Sequence, residues 1–506
     1  MSQTKVVIKN TIYMFLRMFF VMFLTLFSTR LLLKTLGFEG YGIYDLIFGV
    51  VVLFSILSGS MATTLQRFYN VSQGDPYKQS SIYSVSLQVF SIVGLLILIF
   101  GFTFSNNIVG CLNIPIYQTY DAVVFFRLCV ANLVFMIFRL PFIALLISNE
   151  KMGVYASISV FDATIKFLGV MLLGILSLNI SNLIIYGCIL SFISLIVTLI
   201  YIMMCYFKLD MPKLRRKVPK LYYREIFSFS GWTLFGSSAT VVSQQGLSIT
   251  LNIFFGVLIN AANAVAQQIY TAVYQFVSSF QTAYSPYLMR TYTQQDFEKL
   301  KQLIIFFSKF SVFLYLLLAV PLFAYADAIL KIWLENVPDY AVSFTRLTLI
   351  IVLFEVLSAP LWLTVQASGN IKRYQVFISI ILIMNLPIAY LCFMVWEQPI
   401  LAFVAKIFTS VLAYIYRIYS VSCLGCLNIK KYTLGLVCKL FLLLLVMSPV
   451  VSIFMDYQNQ SILDAVLSIL VIISVFIIIS FFILIEKSEY KKIYDIIFNF
   501  FGKVRK

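Results

Sequence analysis

Residues 226–289 read IFSFSGWTLFGSSATVVSQQGLSITLNIFFGVLINAANAVAQQIYTAVYQFVSSFQTAYSPYLM, and no charged side chain occurs between Glu225 and Arg290. One helix needs roughly 20 apolar residues to cross the hydrocarbon of a bilayer. The stretch therefore accommodates two crossings with a tight turn between them. The same holds from Lys166 to Lys208, and Lys78 to Asp121 is equally free of charge. A soluble core helix would be shorter and would carry a polar face.

Outward from this stretch, the rest of the chain behaves alike. Of 506 residues, 61% are hydrophobic and 11% charged, against roughly 25% charged in a soluble domain. Too few charges remain to coat a water-facing surface. The fold class expected is an all-α integral membrane protein with about fourteen transmembrane helices, read from 506 residues of recurring apolar runs and the helix length above. The spans fall near 11–33, 41–65, 81–104, 121–148, 155–176, 183–207, 227–255, 260–288, 303–326, 340–366, 374–396, 399–424, 434–455 and 464–485. The first lies behind Lys5 and Lys9, contains Arg17 and is longer than the core of a cleaved signal peptide, so it reads as a permanent span.

The formal charge of +17 is a membrane signature rather than a nucleic-acid footprint, because the cations gather in alternate loops. One set carries Arg67, Lys78 and Lys151, then the dense run Lys208, Lys213, Arg215, Arg216, Lys217, Lys220 and Arg224. Arg290, Lys299, Lys301, Lys372, Arg373, Lys430, Lys431 and the tail from Lys487 continue it. The other set is neutral or acidic, with Asp327, Glu335 and Asp339 against Lys331. The positive-inside rule places both termini in the cytoplasm. The basic run then divides the chain into a first lobe (1–207, six helices), a cytoplasmic linker (208–225), a second lobe (226–425, six helices) and a final pair of helices with a basic tail (426–506). The bland reading of the linker is attraction to anionic headgroups.

A weak internal repeat supports two lobes. The first two spans turn at Gly37 and end in Gln66-Arg67-Phe68-Tyr69, reaching Asp75. The seventh and eighth turn near Gly256 and end in Met289-Arg290-Thr291-Tyr292, reaching Asp296. Parallel six-helix repeats are a transporter architecture, with the substrate path between them.

At the first turn, Arg30-Leu-Leu-Leu-Lys-Thr-Leu-Gly37-Phe-Glu-Gly40-Tyr41-Gly42-Ile43-Tyr44 resembles the Leu-Gly-x-x-x-Tyr-Gly-Ile-Tyr turn of polysaccharide flippases, the Wzx-type O-antigen transporters of the MOP (MATE-like) exporter superfamily. Similar segments follow at Asn149-Glu150-Lys151-Met152, Phe229-Ser230-Gly231-Trp232, Phe280 to Pro286, and Ala367-Ser368-Gly369-Asn370, so the resemblance spans roughly residues 5–430. It implies a flippase in the cell inner membrane that moves an undecaprenyl-pyrophosphate-linked oligosaccharide to the periplasmic leaflet, for O-antigen and lipopolysaccharide assembly. Membrane lipids, polysaccharide polymerase or assembly proteins and a coupling ion, H+ or Na+, would be its partners. Family patterns with an arginine after Asn-Ala-Ala find Asn260-Ala261-Ala262-Asn263 here, so the cavity's cations must come from elsewhere.

Charged groups within spans cost at least about 2.5–3.5 kcal/mol each at mid-membrane and point to a functional cavity. Arg17, Arg139, Lys166 and Lys309 are the candidate cations for a pyrophosphate, which guanidinium forks grip through charge-assisted bonds. Gln244 and Gln267 head the polar groups of the uncharged seventh and eighth spans that suit sugars. Asp162 and Glu355 are the candidate ion-coupling acids, although Asp162 stands four residues before Lys166 and the two can simply pair. The competing reading for every long cation is snorkelling to the interface. No cofactor or metal is expected: the chain has no histidine, and Cys423-x-x-Cys426 has no second ligand pair nearby.

Other functions fit less well. A multidrug cation antiporter wants an acidic pocket, and this one is basic. A lipid II flippase for peptidoglycan is a nearer relative. A membrane glycan polymerase or ligase needs sizeable outer loops bearing catalytic groups, whereas these loops are short and lack a histidine base.

Overall fold

Inside hydrocarbon, each unpartnered backbone N–H or C=O costs several kcal/mol, so a spanning chain that is not a closed barrel must be helical. The computed structural model describes residues 3–54, 65, 68–69, 72, 75–149, 151–175, 180–209, 211–215, 218–334, 336–368, 371–456 and 462–483. Gln66, Arg67, Glu150, Arg216, Lys217, Glu335, Gly369, Asn370 and the tail from Glu486 lie outside them, as does the Arg290 side chain.

The described chain is helical throughout: α1 (Gln3–Phe54), α2 (Pro76–Thr103), α3 (Ser105–Gly110), α4 (Thr119–Ser148), α5 (Met152–Ile175), α6 (Asn182–Lys208) and α7 (Lys220–Thr293). There follow α8 (Phe297–Ala324), α9 (Ala326–Leu334), α10 (Ala341–Ser368), α11 (Lys372–Ile383), α12 (Asn385–Trp396) and α13 (Leu401–Cys423). The short α14 (Ile429–Tyr432), a π-helical turn at Thr433–Val437, α15 (Cys438–Asp456) and α16 (Ile462–Ile483) complete it. Among the described residues, 11 stretches are long and apolar enough to cross a membrane, and Leu467–Ile483 is a shorter apolar helix. Two of those stretches, in α1 and α7, contain a break, so the arrangement is compatible with about fourteen crossings.

The breaks sit where the repeat puts them. Gly37 (φ 71°, ψ 176°) interrupts α1, and Gly256 (φ 77°, ψ −171°) interrupts α7. This corner of backbone space is accessible essentially to glycine alone. Each repeat then ends on an aspartate cap. Asp75 accepts from the Tyr77 and Lys78 amides at 3.0 Å, and Asp296 accepts from the Lys299 amide at 3.2 Å.

Two connections are more ordered than short loops suggest. Residues 105–118 hold α3 and a 3₁₀ turn, and 326–334 form α9. In α9, Asp327 and Lys331 pair at 2.7 Å, the acid in the first turn and the base in the last, which suits the helix dipole.

The chain divides into two compact units. The first comprises Met1–Val265, Pro338–Ala341 and Leu382–Ala402. Its tightest pairing, α4 on α6, follows from small residues along one face of α6. Ser191, Ser194 and Thr198 donate to the backbone carbonyls of Leu128, Asn132 and Phe135 at 2.8, 3.3 and 3.0 Å. Gly187 admits Leu128 and Phe125, whose atoms would lie 2.9 Å from an added Cβ. Close approach through small residues replaces the hydrophobic drive that lipid removes. The second unit comprises Ala266–Val337, Val342–Ile381 and Phe403–Lys506. There α8 packs with α15 and α16, with Phe313 stacked on Phe476 at 5.7 Å.

Gly37→Ala and Gly256→Ala should each destabilise the protein by about 1–3 kcal/mol. Gly110→Ala is the control, since its site is open and carries no positive φ. Thermal melts of purified protein in detergent, followed by retention of the monodisperse peak, check this.

Candidate functional site

The first unit gathers four of the expected site residues. Arg17, on α1, lays its guanidinium over the ring of Tyr155 on α5, 4.8 Å from the centroid. Asp162 and Lys166 occupy the same helix and form an ion pair at 3.0 Å. Tyr155, Ser159, Asp162 and Lys166 recur at the spacing of one helical face. Tyr201, buried on α6, lies close to Ser159 and within electrostatic reach of Tyr155, Arg139 and Asp162. Arg139, on α4, is only 8% exposed. Arg17 thus meets Tyr155, Arg139 and Asp162 act on Tyr201, and Lys166 is held by Asp162.

This cluster is incompletely satisfied. Arg17 Nε, Arg139 Nη1 and Asp162 Oδ1 are buried with no hydrogen-bond partner among the described residues. Buried polar groups are nearly always paired, yet two guanidinium donors and one carboxylate acceptor are left open here. Planar guanidinium donors suit phosphate oxygens, and the tyrosine rings offer surfaces against which sugar can pack.

The second unit contains Glu355 in a different setting. The Tyr270 hydroxyl donates to its Oε2, and Lys406 and Arg417 are the cations acting on it electrostatically. Lys406 Nζ stands 5.8 Å from the Tyr270 ring centre, and Tyr270 stacks on Tyr274 at 5.7 Å. Arg417 Nε donates to the Tyr374 hydroxyl at 3.0 Å, and Tyr374 stacks on Trp362 and Tyr416. Glu355 is thus embedded among cations and phenols.

The other expected residues are more dispersed. Lys309 is buried on α8 between Ser308 and Ser311. Gln244 is half-buried on α7 beside Gln245, whose amide would lie 2.4 Å from a Cβ added at Gly49. Gln267 is half-buried on α7 in the second unit. Outside the clusters, Arg127 Nε donates to Ser105 Oγ at 2.9 Å and Arg346 Nε to the Phe323 carbonyl at 3.2 Å, so both have protein partners. Tyr155, Ser159 and Tyr201 were not expected. The stripe at 155, 159, 162 and 166 was the one available signal, and it covers only the α5 side.

A helical membrane scaffold with charged clusters buried in its spans defines a transporter-type fold, and the comparisons agree. The family model "Polysaccharide biosynthesis protein" matches residues 7–292, more than half of the chain, and the chain belongs to that family. No curated protein sequence matches. Among solved structures, the lipid II flippase MurJ in an inward closed conformation superposes with a TM-score of 0.67 at 16% identity, over 95% of this chain and 100% of that one. An inward-facing multidrug resistance MATE transporter of the MOP superfamily gives 0.65 at 14% identity, over 79% and 95%. A MOP superfamily transporter from Pyrococcus furiosus gives 0.62 at 12% identity, over 82% and 96%. At these identities the likeness is one of fold: that of the MOP flippase-type transporters, in a multi-pass membrane protein.

Arg139→Met removes a buried charge while keeping apolar bulk. Removing an uncompensated buried charge relieves its desolvation cost, whereas removing one partner of a buried ion pair destabilises by about 3–5 kcal/mol. We expect an unchanged or raised melting temperature together with lost transport. A fall in melting temperature would make Arg139 a structural residue.

Proposed function

We propose that the protein is a flippase that carries an undecaprenyl-pyrophosphate-linked oligosaccharide from the cytoplasmic to the periplasmic leaflet of the cell inner membrane, for O-antigen or a related surface polysaccharide. The observation that carries this reading is the Arg17, Arg139, Lys166 and Asp162 cluster, with its buried unpaired atoms. Family membership supports the glycan, and the absence of histidine speaks against a polymerase or ligase. A net-positive pocket speaks against a multidrug cation antiporter.

In this mechanism the headgroup enters from the cytoplasm and the cations neutralise its phosphates. Gln244 and Gln267 offer hydrogen bonds to sugar hydroxyls, and Lys309 is a further cation for the phosphates. The lobes that open alternately are residues 1–207 and 226–425, joined by 208–225, and both termini are cytoplasmic. Polysaccharide polymerase and assembly proteins receive the product. Coupling to H+ or Na+ falls to Glu355, with Asp162 as a second acid freed whenever Lys166 turns to the phosphate.

A deletion strain should accumulate lipid-linked sugar on the cytoplasmic leaflet, and export of the surface glycan should cease. Arg17→Ala and Arg139→Ala should each lower export about tenfold or more at unchanged protein level, given roughly 1.5–3 kcal/mol per hydrogen bond to a charged group. Normal export in both variants would remove them from the path. Glu355→Gln should leave substrate binding intact and abolish the dependence of transport on the ion gradient, measured in proteoliposomes.

The fold likeness to MurJ favours one second reading, a lipid II flippase. Lipid II presents the same undecaprenyl pyrophosphate, so the cluster serves it equally. Rescue of cells depleted of their lipid II flippase, without any effect on surface glycan, would favour that reading.

A further inference from the structure

Between α6 and α7, the described residues 211–215 are a strap tied to α2 rather than free. The Arg215 backbone amide donates to Ser84 Oγ at 2.7 Å, and that hydroxyl donates onward to the Ser80 carbonyl at 2.8 Å. Ser84 is fully buried, so a helix-interior hydroxyl satisfies a backbone donor that no secondary structure serves. The Arg215 guanidinium lies 3.8 Å above the Tyr77 ring centre. Tyr223, just inside α7, donates its hydroxyl to Gln88 Oε1. Tyr77, Ser84 and Gln88 share one stripe of α2, and all these residues belong to the first unit.

The anchors engage Arg215 and leave other cations facing outward. Lys208, Lys213, Lys220 and Arg224 are all exposed. Large apolar side chains stand among them: Tyr206 and Phe207 are 71% and 74% exposed, and Leu214 and Leu221 are 69% and 60%. Water alone does not favour such a display. A headgroup layer favours both halves of it, because phosphates attract the cations while the acyl boundary accepts Leu, Phe and Tyr. Lys208 ends a spanning helix, which puts the surface at the depth where headgroups begin.

We propose that Lys208, Lys213, Lys220 and Arg224, with the apolar side chains among them, form a docking surface for anionic phospholipid headgroups of the leaflet at which α6 ends. Tyr206 and Phe207 lie in the last turn of a helix long and apolar enough to span the membrane, so the surface borders the bilayer and lipid phosphates are the anions beside it. The strap's anchors hold the cations in a fixed array, so the docked lipids meet a built surface rather than a random tether. This proposal does not depend on the identity of the transported substrate.

Full-length protein is released from nanodiscs of equal phosphatidylglycerol and phosphatidylethanolamine, and the retained lipids are counted by native mass spectrometry. The wild type should keep phosphatidylglycerol in preference. The quadruple variant K208Q/K213Q/K220Q/R224Q should lose that preference by about tenfold or more, since each cation near such a surface contributes on the order of 1 kcal/mol. Arg139→Ala should keep it, which separates the strap from the buried cluster. Should the quadruple variant fail to fold, raising salt from about 0.05 M to about 0.5 M should erase the wild-type preference, because the Debye length shortens. Equal retention of both lipids by the wild type, or a preference lost in Arg139→Ala and kept in the quadruple variant, would overturn the proposal. So would stoichiometric capture of a polyglutamate peptide with no lipid preference.

Discussion

Every feature of this molecule answers to the same constraint, that hydrocarbon offers no hydrogen bonds to the backbone. Continuous helix meets it automatically, so the points of interest are the places where helix stops. At Gly256 the chain leaves helical geometry, and four residues earlier the fully buried Asn252 makes a reciprocal pair with the backbone of Asn113. Its Oδ1 accepts from the Asn113 amide at 2.9 Å and its Nδ2 donates to the Asn113 carbonyl at 3.2 Å. The non-helical segment 112–115 is thereby satisfied by a helical side chain. Gly42 adds a second requirement in the same unit, since a Cβ there would lie 1.9 Å from the Val257 carbonyl oxygen. The limb after Gly37 and the limb after Gly256 meet backbone to backbone, and only hydrogen fits between them.

The same constraint distinguishes the two charged clusters. Around Glu355 the carboxylate has a phenol donor and two cations, so its charge is answered within the protein. Around Tyr201 the balance is incomplete, because buried atoms on Arg17, Arg139 and Asp162 lack partners among the described residues. A site built only for stability would close such gaps, by pairing or by apolar replacement. The open donors of Arg17 and Arg139 and the open acceptor of Asp162 stand on three separate helices. The other Asp162 oxygen is held by Lys166 at 3.0 Å.

What could be read beforehand was local or periodic. Gly37 and Gly256 announced their turns by repeat position, Asp75 and Asp296 marked the helices that follow, and Asp162 with Lys166 stood at helical spacing. Hidden were the contacts that join distant segments. Nothing in the sequence ties Arg17 to Tyr155, Arg417 to Tyr374 or Arg215 to Ser84, because helix packing rather than residue type brings them together. The small residues of α6 were legible as composition, yet their role as donors to α4 carbonyls needed the register of two helices. Short outer loops were expected at 105–120 and 327–339; both carry helix, since even interfacial backbone gains by satisfying itself.

The tyrosines connect these observations. Tyr155 faces Arg17, Tyr201 faces Arg139 and Asp162, and Tyr270 faces Lys406 and Glu355. A phenol presents an apolar ring to its packing partners and a single polar atom to a charge. It can therefore hold an ion in place without adding a second formal charge that would itself need compensation. In a membrane interior, where each uncompensated charge costs several kcal/mol, this is an economical way to keep a cation oriented and still available. An acid in place of Tyr155 or Tyr201 would add a formal charge beside Arg17 or Arg139. Phenol rather than carboxylate beside these cations is in keeping with the anionic substrate proposed above.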